Sequence, residues 1–268
     1  MRFFKRSLIV GILFLMGFAQ ASEVERPTYK LNLENDFPVT LAAGGMFGIG
    51  MFLYSRMDTP DNPKDKDDLL PWDKSLAGRY SEKADLASDI GSVFAIAPLV
   101  VGGIAWHDGS SSGREFATFS IMFVQAIGIG NGMNLAMRSL EIWPRPYMYA
   151  ESGEGQKKAE NAKTEAYGSF FSGHATAAFT VATFTDQWFR TAYPNSPYKG
   201  IMRASAYSLA TLESVLRVAA GKHYFTDVLV GALVGTGVSI GIIEMHRDRN
   251  ENFSVWVGPG VAGITFHI

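Results

Sequence analysis

"FATFSIMFVQAIGIGNGMNLAM" fills residues 116–137 without a single charged side chain. A run that long and that apolar reads as a helix. Working outward, uncharged stretches recur at Pro38–Ser55, Ile90–Trp106 and Val228–Ile243. Two further helices are expected over Thr176–Arg190 and Ile201–Ala220. These carry charge, Asp186 in the first and Arg203, Glu213 and Arg217 in the second, which sets them apart from lipid-exposed spans. The pattern predicts an all-α fold, a helical bundle of about six core helices.

Between the runs lie polar connections. "MDTPDNPKDKDDLLPWDKS" (57–75) is rich in Pro and Asp and reads as a solvated loop before a helix near Ser81. "ESGEGQKKAENAKTEAYGS" (151–169) is a second polar loop. At the far end, "FSVWVGPGVAGITFHI" alternates apolar residues around Gly258-Pro259-Gly260, which predicts a short β-hairpin over residues 251–268.

Composition narrows the function classes. The chain has 268 residues and a formal charge of −2, with a pI near 6.2, so nothing points to nucleic acid. It contains no cysteine, which excludes disulfides, thiolate metal ligands and a cysteine nucleophile. Residues 1–21, "MRFFKRSLIVGILFLMGFAQA", place Arg2, Lys5 and Arg6 before an uncharged run from Ser7 to Phe18 and then Ala19-Gln20-Ala21. This reads as a cleavable secretory signal peptide, since the run falls short of the roughly 20 residues of a bilayer span. Residues 22–250 then form one helical domain, with no internal repeat and no long linker to divide it.

Polar residues stand out in "RVAAGKHYFTDVLVG" (217–231), where Arg217, His223 and Asp227 interrupt an apolar, Gly- and Ala-rich stretch. If a helix begins here, His223 and Asp227 share a face as i and i+4. The carboxylate would then accept the Nδ1 proton and leave Nε2 free, the equipment of a nucleophile or a general base. A helix-start aspartate that happens to pair with a histidine is the bland alternative. Upstream, "RSLEIWPRP" (138–146) offers Arg138 and Arg145, two guanidinium forks able to meet on one tetrahedral anion, or else two ordinary cations at a helix end. In "FFSGHATAA" (170–178), Ser172 supplies a hydroxyl, Gly173 admits an anion to its N–H, and a helix begins just beyond. A serine cap beside a surface histidine is the plainer reading.

Taken together, "RSLEIWPRP", "FSGH" and "LRVAAGKHYFTD" resemble the three-part signature of the type 2 phosphatidic acid phosphatase and vanadium haloperoxidase superfamily: Lys-x6-Arg-Pro, Pro-Ser-Gly-His and Ser-Arg-x5-His-x3-Asp. All three in this order would arise by chance in roughly one chain in 10⁵. Three positions depart, with Arg138 in place of lysine, Phe171 of proline and Leu216 of serine. None of them removes a reacting group.

The resemblance implies a phosphatase. His223 would be the nucleophile that forms a phosphohistidine, oriented by Asp227. His174 would start protonated, give its proton to the leaving oxygen, and later act as base for water. Arg138, Arg145, Ser172, Gly173 and Arg217 would hold the phosphate oxygens. No metal and no cofactor is implied. Vanadate-dependent haloperoxidation is the other chemistry of the same cage, and a non-catalytic protein binding anionic lipid is a further alternative. His107, His246 and His267 lack convergent partners and are expected to be non-catalytic.

Apolar helices around an anion cage suit a lipid phosphate or diphosphate, with a soluble phosphomonoester as the alternative. The expected setting is exported, periplasmic or membrane-associated, with the site facing the periplasm. A mean hydropathy of only +0.06, abundant glycine in the apolar runs and charge in the fifth helix favour incomplete membrane integration. Lys157, Lys158 and Lys163 place the 151–169 loop as a candidate rim that chooses among head groups. No oligomeric state follows from the sequence.

Overall fold

A computed structural model describes residues 27–61 and 64–248, with two extended stretches beyond, 253–258 and 261–266. The described chain is mostly helical. In order, the helices are α1 (Leu33–Ser55), α2 (Glu82–His107, passing through a 3₁₀ turn at Ser92–Ile96), α3 (Gly113–Arg138), α4 (Gly153–Glu160), α5 (Gly173–Ala192), α6 (Lys199–Ala219) and α7 (Phe225–His246). Six are the expected long helices, and α4 is a short one inside the polar 151–169 stretch.

Caps explain where several begin. The Asn32 side chain accepts from the Glu34 N–H at 2.9 Å, and Ser112 and Glu115 form a reciprocal capping box at the start of α3. The apolar run read as Ile90–Trp106 is the second half of a longer helix. Ser81 caps it, at the place where a helix was expected, and the exposed Glu82, Lys83 and Asp89 on its first turns masked its continuity with the apolar run.

The described residues within 27–248 contain seven helices and no strand, so the fold they define is all-α, and the C-terminal hairpin expected over 251–268 is not supported as a part of it. The signal read over residues 1–21 lies outside the described residues.

Helix α5 is the central element. Its Trp188 is fully buried and stacks on Phe119 of α3 at 4.8 Å. Gly102 of α2 makes room for it, since a Cβ there would lie 1.9 Å from the indole. Other glycines bring backbones together. A Cβ at Gly235 of α7 would meet the Thr176 carbonyl at 2.2 Å, and one at Gly50 of α1 would meet the Gly132 carbonyl of α3 at 2.5 Å.

Large apolar side chains face outward: Leu41, Ile49 and Phe52 on α1, Val124 on α3, and Leu229 and Leu233 on α7. Four helical segments, Asp36–Ser55, Glu82–His107, Gly113–Arg138 and Phe225–His246, are long and apolar enough to cross a membrane. Exposed apolar faces of that extent mark membrane association. The charge-bearing α5 and α6 are not among the four, in line with their sequence.

Successive long helices run in opposite directions, which gathers functional residues at one end and ties at the other. At the far end Tyr29 bridges Arg247, Lys30 pairs with Asp248 at 2.6 Å, and Tyr193 donates to Asp108 at 2.6 Å. His246, expected to lack convergent partners, has two. It is buried, with Nδ1 bonded to the Ile242 carbonyl at 2.7 Å and Nε2 to the Asp36 carboxylate, and so clasps α7 to α1. His107 is exposed, and His267 lies outside the described residues.

Candidate active site

The site lies where the end of α3, the start of α5, the end of α6 and the start of α7 converge. Gly221, at φ +66°, turns the chain between α6 and α7, and a Cβ there would lie 1.9 Å from the Arg79 carbonyl. That close approach fixes residues 222–224. His223 therefore sits just before α7 rather than on it, and is 2 % exposed.

Its Nδ1 lies 3.0 Å from the Ser169 carbonyl oxygen and 3.5 Å from Asp227 Oδ2. A carbonyl can only accept, so Nδ1 carries the proton and Nε2 keeps its lone pair. The expected free Nε2 is present, but the nearer partner is Ser169 and not Asp227. The fully buried Asp227 carboxylate is drawn instead to three other donors, the Ser169 hydroxyl at 2.6 Å, the Tyr224 N–H at 2.9 Å and the Trp143 indole N–H at 3.2 Å. Through these bonds it fixes the loop that holds the histidine.

Ser172 caps α5, its hydroxyl accepting from the Ala175 N–H at 3.3 Å, while its own N–H donates to the Asp227 carbonyl at 3.0 Å. Asn134 of α3 donates to the Phe171 carbonyl. Gly173 is required at this position, because a Cβ would sit 2.7 Å from Asn134 Oδ1. These contacts aim the first turn of α5, with its free N–H groups, toward the histidines.

The three arginines differ in how far their donors are committed. Arg138 gives Nε to the Gly168 carbonyl at 2.9 Å and Nη2 to the Tyr54 hydroxyl at 2.9 Å and the Glu165 carbonyl at 3.2 Å, so it clamps the 164–168 loop. Arg217 gives Nη1 to Ser88 at 2.8 Å and Asp89 at 3.2 Å, while its buried Nε has no hydrogen-bond partner. Arg145 likewise has a buried Nε without a partner. Guanidinium donors left over inside a fold are available to an anion.

Electrostatics tie the groups together. His223 is held well below the ordinary imidazole range, first by burial and then by Arg145, Arg217, Arg138 and His174. His174 is pushed down to about 3, again by burial first and then by Arg217, Arg145, Lys222 and Arg138. Both imidazoles are neutral at pH 7, whereas the sequence predicted a protonated His174. Surrounding cations repel the proton as long as no anion offsets them.

Every site residue named from the sequence lies in this cluster. Sequence reasoning missed Tyr54, Asn134, Trp143, Ser169 and Lys222. Only Lys222 left a signal, as a further charge in an apolar stretch.

The model of the PAP2 superfamily matches residues 117–251, half of the chain, and the chain belongs to that superfamily, whose general character is phosphatase-type activity. No curated protein and no solved structure matches it.

Proposed function

We propose that this protein hydrolyses a lipid phosphate or diphosphate without a metal, through a phosphohistidine on His223. One observation carries the reading: the spare buried donors of Arg145 and Arg217 surround two neutral imidazoles, one with a free Nε2. Cations around a neutral nucleophile suit a substrate that brings the negative charge itself. The outward apolar faces of α1, α3 and α7 favour a lipid over a soluble ester.

The chemistry proceeds in two displacements. In the first, His223 Nε2 bonds to phosphorus as the P–O bond to the leaving group breaks. Its Nδ1 proton stays on the Ser169 side, with Asp227 stabilising the imidazolium character that develops. His174 gains a proton when the phosphate offsets Arg145, Arg217 and Lys222, and passes it to the leaving oxygen. In the second, His174 takes a proton from water, whose oxygen attacks phosphorus and frees His223 and inorganic phosphate. The guanidinium donors and the first-turn N–H groups of α5 hold the equatorial oxygens throughout.

Phosphate release in EDTA from phosphatidate, a prenyl diphosphate and an aryl phosphate tests this, with His223→Ala alongside. EDTA-resistant release from a lipid substrate that His223→Ala abolishes is the expected result. Release that persists in the variant overturns the mechanism.

A further inference from the structure

Beside the cage stands a second group of cations. Lys222, next to His223, has a side chain 12 % exposed and an ammonium 3.0 Å from Asp85 Oδ2. Lys158 of α4 approaches the same oxygen at 3.8 Å with a side chain 39 % exposed. Arg217 Nη1 lies 3.6 Å from the other oxygen of Asp85. Cations from α6, from the turn before α7 and from α4 thus converge on the Asp85 carboxylate, with Arg217 also paired to Asp89 at 3.2 Å. Tyr147 underlies Lys222 at 6.0 Å and Tyr80 underlies Lys158 at 5.8 Å, and the two rings meet edge to face at 6.1 Å. The group is continuous with the cage, because Lys222 acts electrostatically on both His174 and Arg145.

We propose that Lys222 and Lys158 form a second anion position, and that the substrate carries a second phosphoryl group joined to the first through an anhydride. The inference rests on the phosphatase reading above and specifies its substrate. The terminal phosphoryl group enters the cage and the inner one lies against Lys222 and Lys158, where Asp85 now serves as internal counter-ion. His223 Nε2 bonds to the terminal phosphorus, and the anhydride P–O bond breaks with its electron pair going to the bridging oxygen. That oxygen leaves on a monophosphate whose charge the two lysines offset. Water then attacks the phosphohistidine, giving its proton to His174, and inorganic phosphate departs. The net change is diphosphate plus water to monophosphate plus phosphate. A phosphate leaving group needs less help from an acid than an alkoxide does, which suits a His174 kept neutral by its surroundings.

The test uses the full chain in detergent with four substrates: a prenyl diphosphate and its monophosphate, and a nucleoside diphosphate and its monophosphate. The diphosphate-to-monophosphate ratio of kcat/KM should fall by roughly tenfold in Lys222→Met, fall less in the more exposed Lys158→Met, and recover in Lys222→Arg. The prenyl pair against the nucleotide pair separates a lipid source from a soluble one. An unchanged ratio, or an equal loss on both members of a pair, overturns the second position while leaving the phosphatase reading intact. Release from none of the four, nor from phosphatidate, defeats the phosphatase reading instead. Calorimetric titration with methylenediphosphonate and with phosphate decides the second position without turnover: Lys222→Met should weaken the former selectively, and equal binding to wild type and variant overturns it.

Discussion

The His223 imidazole lies 3.5 Å from the Asp227 carboxylate, close enough for electrostatic support and longer than a good hydrogen bond. Ser169 closes the gap, its carbonyl accepting from the histidine and its hydroxyl donating to the aspartate. Asp227→Asn should lower kcat by about 10²-fold. Ser169→Ala, which strips one donor from a buried carboxylate, should lower kcat by about tenfold and destabilise the fold by about 1–3 kcal/mol. Steady-state kinetics and thermal melts check both. Full activity in Ser169→Ala would show that the serine merely packs.

Arg145 has a spare buried donor at Nε and acts electrostatically on both histidines. Arg145→Lys keeps the charge and loses the fork, so inhibition by vanadate, a phosphate look-alike, should weaken about tenfold or more. Equal inhibition of the wild type and the variant would remove Arg145 from the anion site.

Acid should destabilise the protein through His174. Its folded pKa of about 3 lies below the ordinary 6.5, so between those values the unfolded chain binds a proton that the folded one refuses. The stability is fully present above about pH 6.5 and is lost as pH falls toward about 3. His174→Asn should lessen this dependence in melts run from pH 7.5 to 5, leaving the share that His223, also held below its ordinary range, contributes. Saturating phosphate should shrink the loss in the wild type, because stabilising the protonated imidazole raises its folded pKa toward the unfolded value. Parallel curves for the variant and the wild type would contradict the assignment.

Gly132 touches α1 so closely that a Cβ would lie 2.6 Å from the Met46 carbonyl carbon. Gly132→Ala must push α1 outward and draw Tyr54 away from Arg138, whose guanidinium stacks on that ring at 4.5 Å. A loss of about 1–3 kcal/mol is expected, together with reduced phosphate affinity at a position remote from substrate. Unchanged melting would mean that the two helices separate freely.

Tags placed at Glu154 and at Asp248 should show opposite protease accessibility in sealed membranes, since Glu154 lies at the site end of the bundle and Asp248 at the other. The outward-facing site expected from the sequence requires access to Glu154, and to Asp65 in the loop after α1, from the outside. Equal access to Glu154 and Asp248 would mean that the bundle does not cross end to end.

Helices were readable wherever charge was excluded along a whole run, as in α1, α3 and α7. A helix was expected near Ser81, but its continuity with the apolar run from Ile90 was not, because Glu82, Lys83 and Asp89 break the hydropathy, and α4 was missed because it is polar throughout. Within the site, His174, His223 and the arginines were visible as polar side chains in apolar surroundings with fixed spacing. Ser169 and Asn134 were not, since a hydroxyl or an amide in a loop or helix looks ordinary until distant backbone meets it. Spacing could place Arg138 near the phosphate cage but could not show that the Gly168 and Glu165 carbonyls and the Tyr54 hydroxyl already occupy most of its donors.

The bridge between Tyr29 and Arg247 has a consequence for compartments. Tyr29 and Arg247, from opposite flanks of the bundle, meet on one side, and His174 and His223 lie at the opposite end. In a bilayer crossed from end to end, the proposed site therefore opens on the face away from that bridge. The side on which Tyr29 and Arg247 are found fixes which compartment would gain a product released there.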